Sequence, residues 1–267
     1  MKILSIIVGK LSLFILEKMG RGSAMPGTIA YKLNKNILSD FKLPKTVIAV
    51  TGSSGKGSTT KIVANVLRKS GYTVTYNDKG SNERAAIIAT LLKSSDLKGN
   101  IKTDACVFEI DERYVKLVFP YIKPTHVLIT NLTKDQPPRQ RHYDFVYEEI
   151  FKGLRENAKY IINADDAYLS KFNLDKKFDV IYYGIDKLKT SYKKNMFPVL
   201  NTQRCPICNS KLEYKYYQIE YKGNYKCTKC DFKRPESKYT INKFSNNVIT
   251  INKKYWKNFF WELLHSY

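Results

Sequence analysis

Acidic residues are scarce in this chain: 24 Asp and Glu stand against 46 Lys and Arg in 267 residues, a formal charge of +22. Such an excess points to polyanionic company, whether nucleotide, nucleic acid, anionic lipid or phosphorylated substrate, although Lys is also used throughout for surface polarity. Glycine and proline are few as well, 13 and 9, which excludes collagen-like and low-complexity chains. No internal repeat is visible, and the 43% hydrophobic content excludes a wholly disordered tail. At about 150 residues per domain, the length suits one or two domains. Five cysteines in a chain of this size, with no recognisable cleavage site, do not make a disulfide framework. Long apolar runs are missing too. Ile3 to Leu16 is apolar but broken by Lys10, and its uninterrupted stretches fall short of the roughly 20 residues a spanning helix needs. Gly20-Arg21-Gly22-Ser23 after it lacks a small-x-small cleavage site. This segment reads as a helix that packs on the domain or lies against a membrane surface.

From Lys45 the pattern alternates short β-branched strands with helices. Strands are expected at 46–50, 72–76, 105–110, 126–130, 160–162 and 180–183, and helices at 59–69, 83–92, 112–119 and 143–156. This is the signature of a mainly parallel α/β sheet, whose ligand sites lie at the C-terminal strand ends. Polar residues gather there: Gly52–Ser58, Glu109–Glu112, Asn131–Gln136 and Asn163–Asp166 each follow a strand. Cys106, in an apolar run, reads as a buried core thiol.

Thr51-Gly52-Ser53-Ser54-Gly55-Lys56-Gly57-Ser58-Thr59 joins the first strand to a helix. Glycines allow a tight turn whose N–H groups face phosphate oxygens, the helix N-terminus adds its dipole, and Lys56 adds a full charge. Ser58 or Thr59 offers a hydroxyl to Mg²⁺. The strict phosphate-loop pattern requires Gly where this chain has Val50, so the generic motif fails by one residue. Glu109, at the end of the third strand, is the expected Mg²⁺ ligand, since hard cations prefer oxygen. Cys205-Pro-Ile-Cys208 and Cys227-Thr-Lys-Cys230 carry the spacing of a four-thiolate zinc site, closed and structural, on a small ribbon inserted after residue 200.

The loop resembles that of Mur ligases and folylpolyglutamate synthases, with Ser53-Ser54 where Thr-Asn is usual and Gly57 as in the folate enzymes. With the four-cysteine ribbon, the chain resembles one branch of the Mur ligase family, the MurT subunits of lipid II isoglutaminyl synthase. Further matching segments are 20–30, 77–82, Glu109-Ile-Asp111-Glu112, Thr130-Asn131-Leu132, Asp135-Gln136, Asn163-Ala-Asp165-Asp166, Tyr183-Gly184 and Phe232-Lys233-Arg234.

The resemblance implies a P-loop-type Mur ligase central domain with an inserted four-cysteine zinc ribbon: a helical segment at 1–44, an ATP-binding domain at 45–200, the ribbon at 201–240 and the end of the central domain at 241–267. It implies ATP, Mg²⁺ and Zn²⁺ as cofactors. Gly52, Ser53, Ser54, Gly55, Lys56, Gly57, Ser58 and Thr59 would hold the phosphates, Ser58 and Glu109 the Mg²⁺, Asn163 the adenine, and Cys205, Cys208, Cys227 and Cys230 the zinc. The implied reaction amidates the D-glutamate α-carboxyl of the lipid II stem peptide through an acyl phosphate. A GatD-like glutaminase partner would supply the ammonia, in the cytoplasm or at the inner face of the membrane. Two departures stand out. Pro137-Pro138 follows Asp135-Gln136 where the family has an apolar residue and Asp. The family's C-terminal ligase domain, where the catalytic residues are expected, is absent from these 267 residues, so nucleotide binding is expected of this chain more firmly than turnover. The rival reading is a non-catalytic nucleotide-binding and zinc-ribbon protein that binds nucleic acid through its basic residues.

Overall fold

A computed structural model describes all residues except 1, 21–23, 78–81, 133–142, 176–177, 196–203, 220–221, 246–247 and 258–267. Asp135-Gln136 and Pro137-Pro138 therefore lie outside the described residues. The chain forms two compact units, Met1–Thr130 with Lys134–Ala158, and Asn131–Thr133 with Lys159–Tyr267.

The first unit begins with helices α1 (Lys2–Lys18), α2 (Met25–Leu33) and α3 (Ile37–Asp40). There follow β1 (Thr46–Thr51), α4 (Lys56–Lys69), β2 (Val74–Tyr76), α5 (Arg84–Ser94), β3 (Ala105–Glu109), a 3₁₀ turn (Glu112–Tyr114), α6 (Val115–Ile122), β4 (His126–Ile129) and α7 (Tyr143–Phe151). Its strands run in the order β4-β1-β3-β2, and all three pairings are parallel. Every residue of β3 is buried, as a central parallel strand requires. Ala64 of α4 packs with Val50 and Val107, and Val63 and Leu67 lean on the same cluster.

Helix α5 carries Ala86, Ile87, Ile88, Ala89, Leu91 and Leu92, all buried, because it contacts β2 along with α1 and α2. The Pro26-Gly27 pair of α2 belongs to this contact. A Cβ at Gly27 would overlap the backbone carbonyl of Ala85, so two helices meet there backbone to backbone. α1 does pack on the domain, through Ile6, Gly9 and Leu13. Cys106 is fully buried, and burial pushes its thiol up to about 12.

The second unit holds β5 (Lys159–Asn163), α8 (Ala167–Ser170), α9 (Phe172–Asp175), β6 (Asp179–Ile185), the ribbon strands β7 (Leu212–Ile219) and β8 (Lys222–Cys227), and then β9 (Tyr239–Ser245), β10 (Val248–Ile251) and β11 (Lys254–Lys257). β5, β6 and β9 are parallel neighbours, β10 and β11 continue antiparallel, and β7 and β8 form a separate hairpin.

The mainly parallel α/β reading agrees with both units, with differences in detail, among them the start of α4 at Lys56 where 59 was expected. The helix expected at 112–119 opens as the 3₁₀ turn and runs through Pro120 to Ile122. One missing N–H is outweighed there by burial of Val118, Phe119 and Ile122. The helix expected at 143–156 ends at Phe151. Strands β9 to β11 were not anticipated; Asn252 and Lys253, both at positive φ, make the two-residue turn that pairs β10 with β11.

Gly27→Ala should destabilise the protein by about 1–3 kcal/mol despite Ala's better helix propensity, because the added methyl must push α2 off α5. A urea unfolding midpoint unchanged or raised would contradict the backbone contact.

Candidate functional site

In the first unit, β1 delivers the chain into a turn in which Gly52 and Gly55 have φ of 122° and 78°, a region open to glycine at little cost. Helix α4 then starts at Lys56 with no side chain capping it. Its first amides and dipole thus face the strand end, which is the physical requirement for anion binding. Thr130, beyond β4, fixes the loop: its N–H donates to the Thr51 carbonyl at 3.0 Å and its hydroxyl to the Ser54 carbonyl at 2.8 Å. The Lys56 ammonium donates to the carbonyls of Gly52 and Ser53 and pairs with Glu112 at 3.3 Å. Ser58 is exposed on the first turn, and Thr59 is half-buried with its N–H bonded to the Gly55 carbonyl at 3.1 Å. The hydroxyl of Thr51 is buried with no hydrogen-bond partner among the described residues.

Glu109 is buried and oriented by two asparagines. Asn77 brackets its backbone, donating to the carbonyl at 2.9 Å and accepting from the N–H at 2.8 Å, and Asn82 donates to Oε1 at 2.9 Å. The other oxygen, Oε2, faces α4 and would lie 3.2 Å from a Cβ at Gly57. Of the residues chosen from sequence, the structure therefore brings together Lys56, Gly57 and Glu109. Oε2 of Glu109 beside the uncapped helix start fits Mg²⁺ with a phosphate chain, with Ser58 adjacent on the same turn. Glu112 was missed as the partner of Lys56. It is 2% exposed, and burial pushes its carboxyl up while the Lys56 charge opposes this. Its signal in the sequence, an acid three residues past a strand, became specific only once the 3₁₀ turn aimed it inward.

In the second unit, Asn163 ends β5 and its Oδ1 accepts the Asp165 N–H at 2.9 Å, an Asx turn that leaves the amide nitrogen as its donor. The two aspartates of that turn are structural. Asp166 caps α8, accepting from the N–H groups of Tyr168 and Leu169 through one oxygen and of Leu132 through the other. Burial pushes its carboxyl up, and the nearby Lys222 charge opposes this. Asp165 accepts from Ile185 N–H at 2.8 Å and from Arg234 Nε at 2.6 Å, and its backbone carbonyl accepts from Gly223 N–H at 3.0 Å. Burial again pushes that carboxyl up against the pull of Arg234. A side chain at Gly184 would strike the Arg234 guanidinium, which accounts for the glycine of Tyr183-Gly184.

Arg234 belongs to the segment that follows the cysteine hairpin. The sulfurs of Cys205, Cys208, Cys227 and Cys230 lie within 4.8 Å of one another, with separations of 3.6, 3.4 and 3.5 Å for the 205–230, 208–227 and 208–230 pairs. A tetrahedron with zinc–sulfur bonds of about 2.3 Å has sulfurs about 3.8 Å apart, so the four thiols fit that ion with no position left open. N–H groups of Ile207, Lys229 and Cys230 point at the sulfurs of Cys205 and Cys227, as they do around thiolates. Hydrogen bonds from Ser210 bring the Cys208 thiol down to about 6, while burial holds Cys205 up near about 12. The cysteines share their core with the Asn163 turn: Ala167 packs with Cys205, Leu212, Tyr225, Cys227 and Phe232, and the Tyr225 hydroxyl bonds Ser170 at 2.6 Å.

Residues 50–228 match the family described as the Mur ligase middle domain. The chain belongs to the Mur ligase family. Among curated Mur ligase relatives, the lipid II isoglutaminyl synthase subunit MurT of Streptococcus pneumoniae is 31% identical over 246 residues, covering 90% of this chain and 53% of that protein. The MurT subunit of Staphylococcus aureus is 29% identical over 227 residues, 84% of this chain and 50% of its own. The chain thus spans about half the length of the curated relatives it matches. Among solved structures, a pseudomurein peptide ligase type C from Methanothermus fervidus shares the fold with a TM-score of 0.67 at 24% identity, over 86% of this chain and 47% of that one.

Metal analysis of this Mur ligase chain, purified without chelator, should find about one zinc per chain, lost in Cys227→Ser; none in the parent protein would refute the assignment. Arg234→Ala should cost about 3–5 kcal/mol in denaturant unfolding, since it strands a buried carboxylate. Asp165→Asn in the same background should recover part of that loss.

Proposed function

We propose that this chain is the nucleotide-binding part of an ATP-dependent amide ligase of the MurT type. The observation that carries the reading is the juxtaposition of Glu109 Oε2 with Gly57 at the uncapped start of α4, one residue from Lys56. A phosphate chain has donors on one side there, and its Mg²⁺ has a carboxylate on the other. Similarity to MurT subunits supports the substrate class, and the four-cysteine ribbon joined to a ligase loop supports the branch.

In this reading Gly52 to Thr59 hold the phosphates, Ser58 and Glu109 ligate Mg²⁺, and Asn163 donates its amide hydrogens to the adenine. The D-glutamate α-carboxylate of the lipid II stem peptide attacks the γ-phosphorus and ADP leaves. Ammonia from a GatD-like glutaminase then attacks the acyl phosphate, and inorganic phosphate and a proton leave with formation of the amide. Lys56 neutralises charge that moves onto the bridging oxygen, and Glu112 holds its ammonium at the loop. The partner glutaminase, the lipid-linked substrate and a place at the cytoplasmic face of the membrane all follow from this reading, which assigns no nucleic acid partner.

MgATP binding, measured by calorimetry, should weaken about 10- to 100-fold in Lys56→Ala, which removes a charged hydrogen-bond donor. Glu109→Gln should weaken MgATP more than ATP in chelator; equal losses would remove Glu109 from the metal. With lipid II, glutamine and a GatD-like partner, amidated lipid II detected by mass spectrometry for the parent and not for Lys56→Ala would establish the ligase. Binding to DNA that fades with salt, with no ATP consumed, would favour the rival reading.

A further inference from the structure

Helix α1 is apolar on the side that has no partner among the described residues. Its inward side, Ser5, Ile6, Gly9 and Leu13, is buried. On its outward side Ile3, Leu4, Ile7, Leu11, Phe14 and Ile15 are all exposed, with Leu11 57% and Phe14 58% accessible. At 3.6 residues per turn these six project from one continuous stripe roughly 120° wide. An ordinary surface helix has charge there.

No charged residue interrupts this stripe between Ile3 and Ile15. Lys10, the cation within the apolar run, is turned inward and donates to the carbonyls of Leu92 and Ser95 at the end of α5, both at 2.5 Å. Glu17, the one acid of the helix, is paired with Lys93 at 3.0 Å. Lys2 stands at the start of the helix. Lys18 closes the stripe, its ammonium 4.4 Å from the Phe14 ring centre. The net result is an apolar ridge, uncharged between Ile3 and Ile15, with a lysine at each end that has no ion pair among the described residues, on a chain of charge +22.

We infer that this outward stripe docks on an anionic lipid surface, with α1 lying in the interface plane. A ridge needs no complementary groove when the partner is fluid, and terminal lysines reach anionic headgroups while the side chains between them enter the acyl boundary. Among the described residues no helix is long and apolar enough to cross a membrane, and α1, about 26 Å long, is held to the protein along its other side. The inference shares only its membrane location with the ligase reading. It is tested with vesicles that contain no peptide-bearing lipid, so the two stand or fall separately.

The experiment is co-sedimentation of the full chain with phosphatidylcholine vesicles, with and without phosphatidylglycerol, for the parent and for the double variant Leu11→Glu/Phe14→Glu. Both positions are exposed, so thermal unfolding of the variant should match the parent. The parent should partition onto the phosphatidylglycerol vesicles, and the variant should bind at least about tenfold more weakly at the same ionic strength. No binding by the parent would overturn the inference. So would undiminished binding by the variant, which would mean that general basicity does the work. A parent that forms dimers in sedimentation equilibrium, broken by the double variant, without binding vesicles would assign the stripe to a second copy of the chain and equally overturn it.

Discussion

Helix α4 starts at Lys56 without a capping side chain, and much of the first unit is organised around that open end. Donors left at a helix start need an acceptor, and the turn before it is kept narrow by Gly52 and Gly55 in the left-handed region. Thr130 ties the turn to the end of β4, Asn77 and Asn82 bring Glu109 against Gly57, and Glu112 draws Lys56 to the same place. Each of these contacts puts a rigid polar group near one point. Anion recognition by a preformed site needs this, because little ordering is then left to do on binding.

The second unit repeats the principle with a different device. The Asn163 turn is short and polar, and alone would be one turn among many. Here Asp166 caps α8, Asp165 is held by Arg234 and by Gly223 N–H, and the hydrophobic side of the cysteine hairpin sits on Ala167. The ribbon therefore braces the turn that offers Asn163. A metal held by the four clustered cysteines would make both knuckles rigid, and Arg234, four residues past Cys230, would share that rigidity.

Much of this was legible in the residues, for local reasons. Val-Ile-Ala-Val before a glycine turn, the Lys and hydroxyls after it, and two Cys-x-x-Cys pairs are contiguous signals whose geometry is set within a few residues. The misses had equally physical causes. The helix expected at 112–119 stops one residue short of Pro120, whose lost N–H is a local cost, whereas the burial of Phe119 and Ile122 that outweighs it is tertiary. β9 to β11 escaped notice because their turn uses Asn252-Lys253 instead of a glycine pair, and a Lys at positive φ is not something local propensity suggests.

By itself the sequence determined the alternation of parallel strands and helices, the glycine turn that opens α4 and the pairing of four cysteines, since each depends on backbone geometry or spacing that neighbours along the chain impose. Only the tertiary structure decided which charges meet. Lys56 finds Glu112 and Asp165 finds Arg234 because packing brings distant elements together and removes water, so that an acid acts as a ligand, a partner or a brace according to what buries it. The two sides of α1 were told apart the same way. The residues alone left open whether that helix packs or faces a lipid surface; the structure buries Ile6 and Leu13, turns Lys10 inward, and leaves the opposite side apolar and without a partner among the described residues.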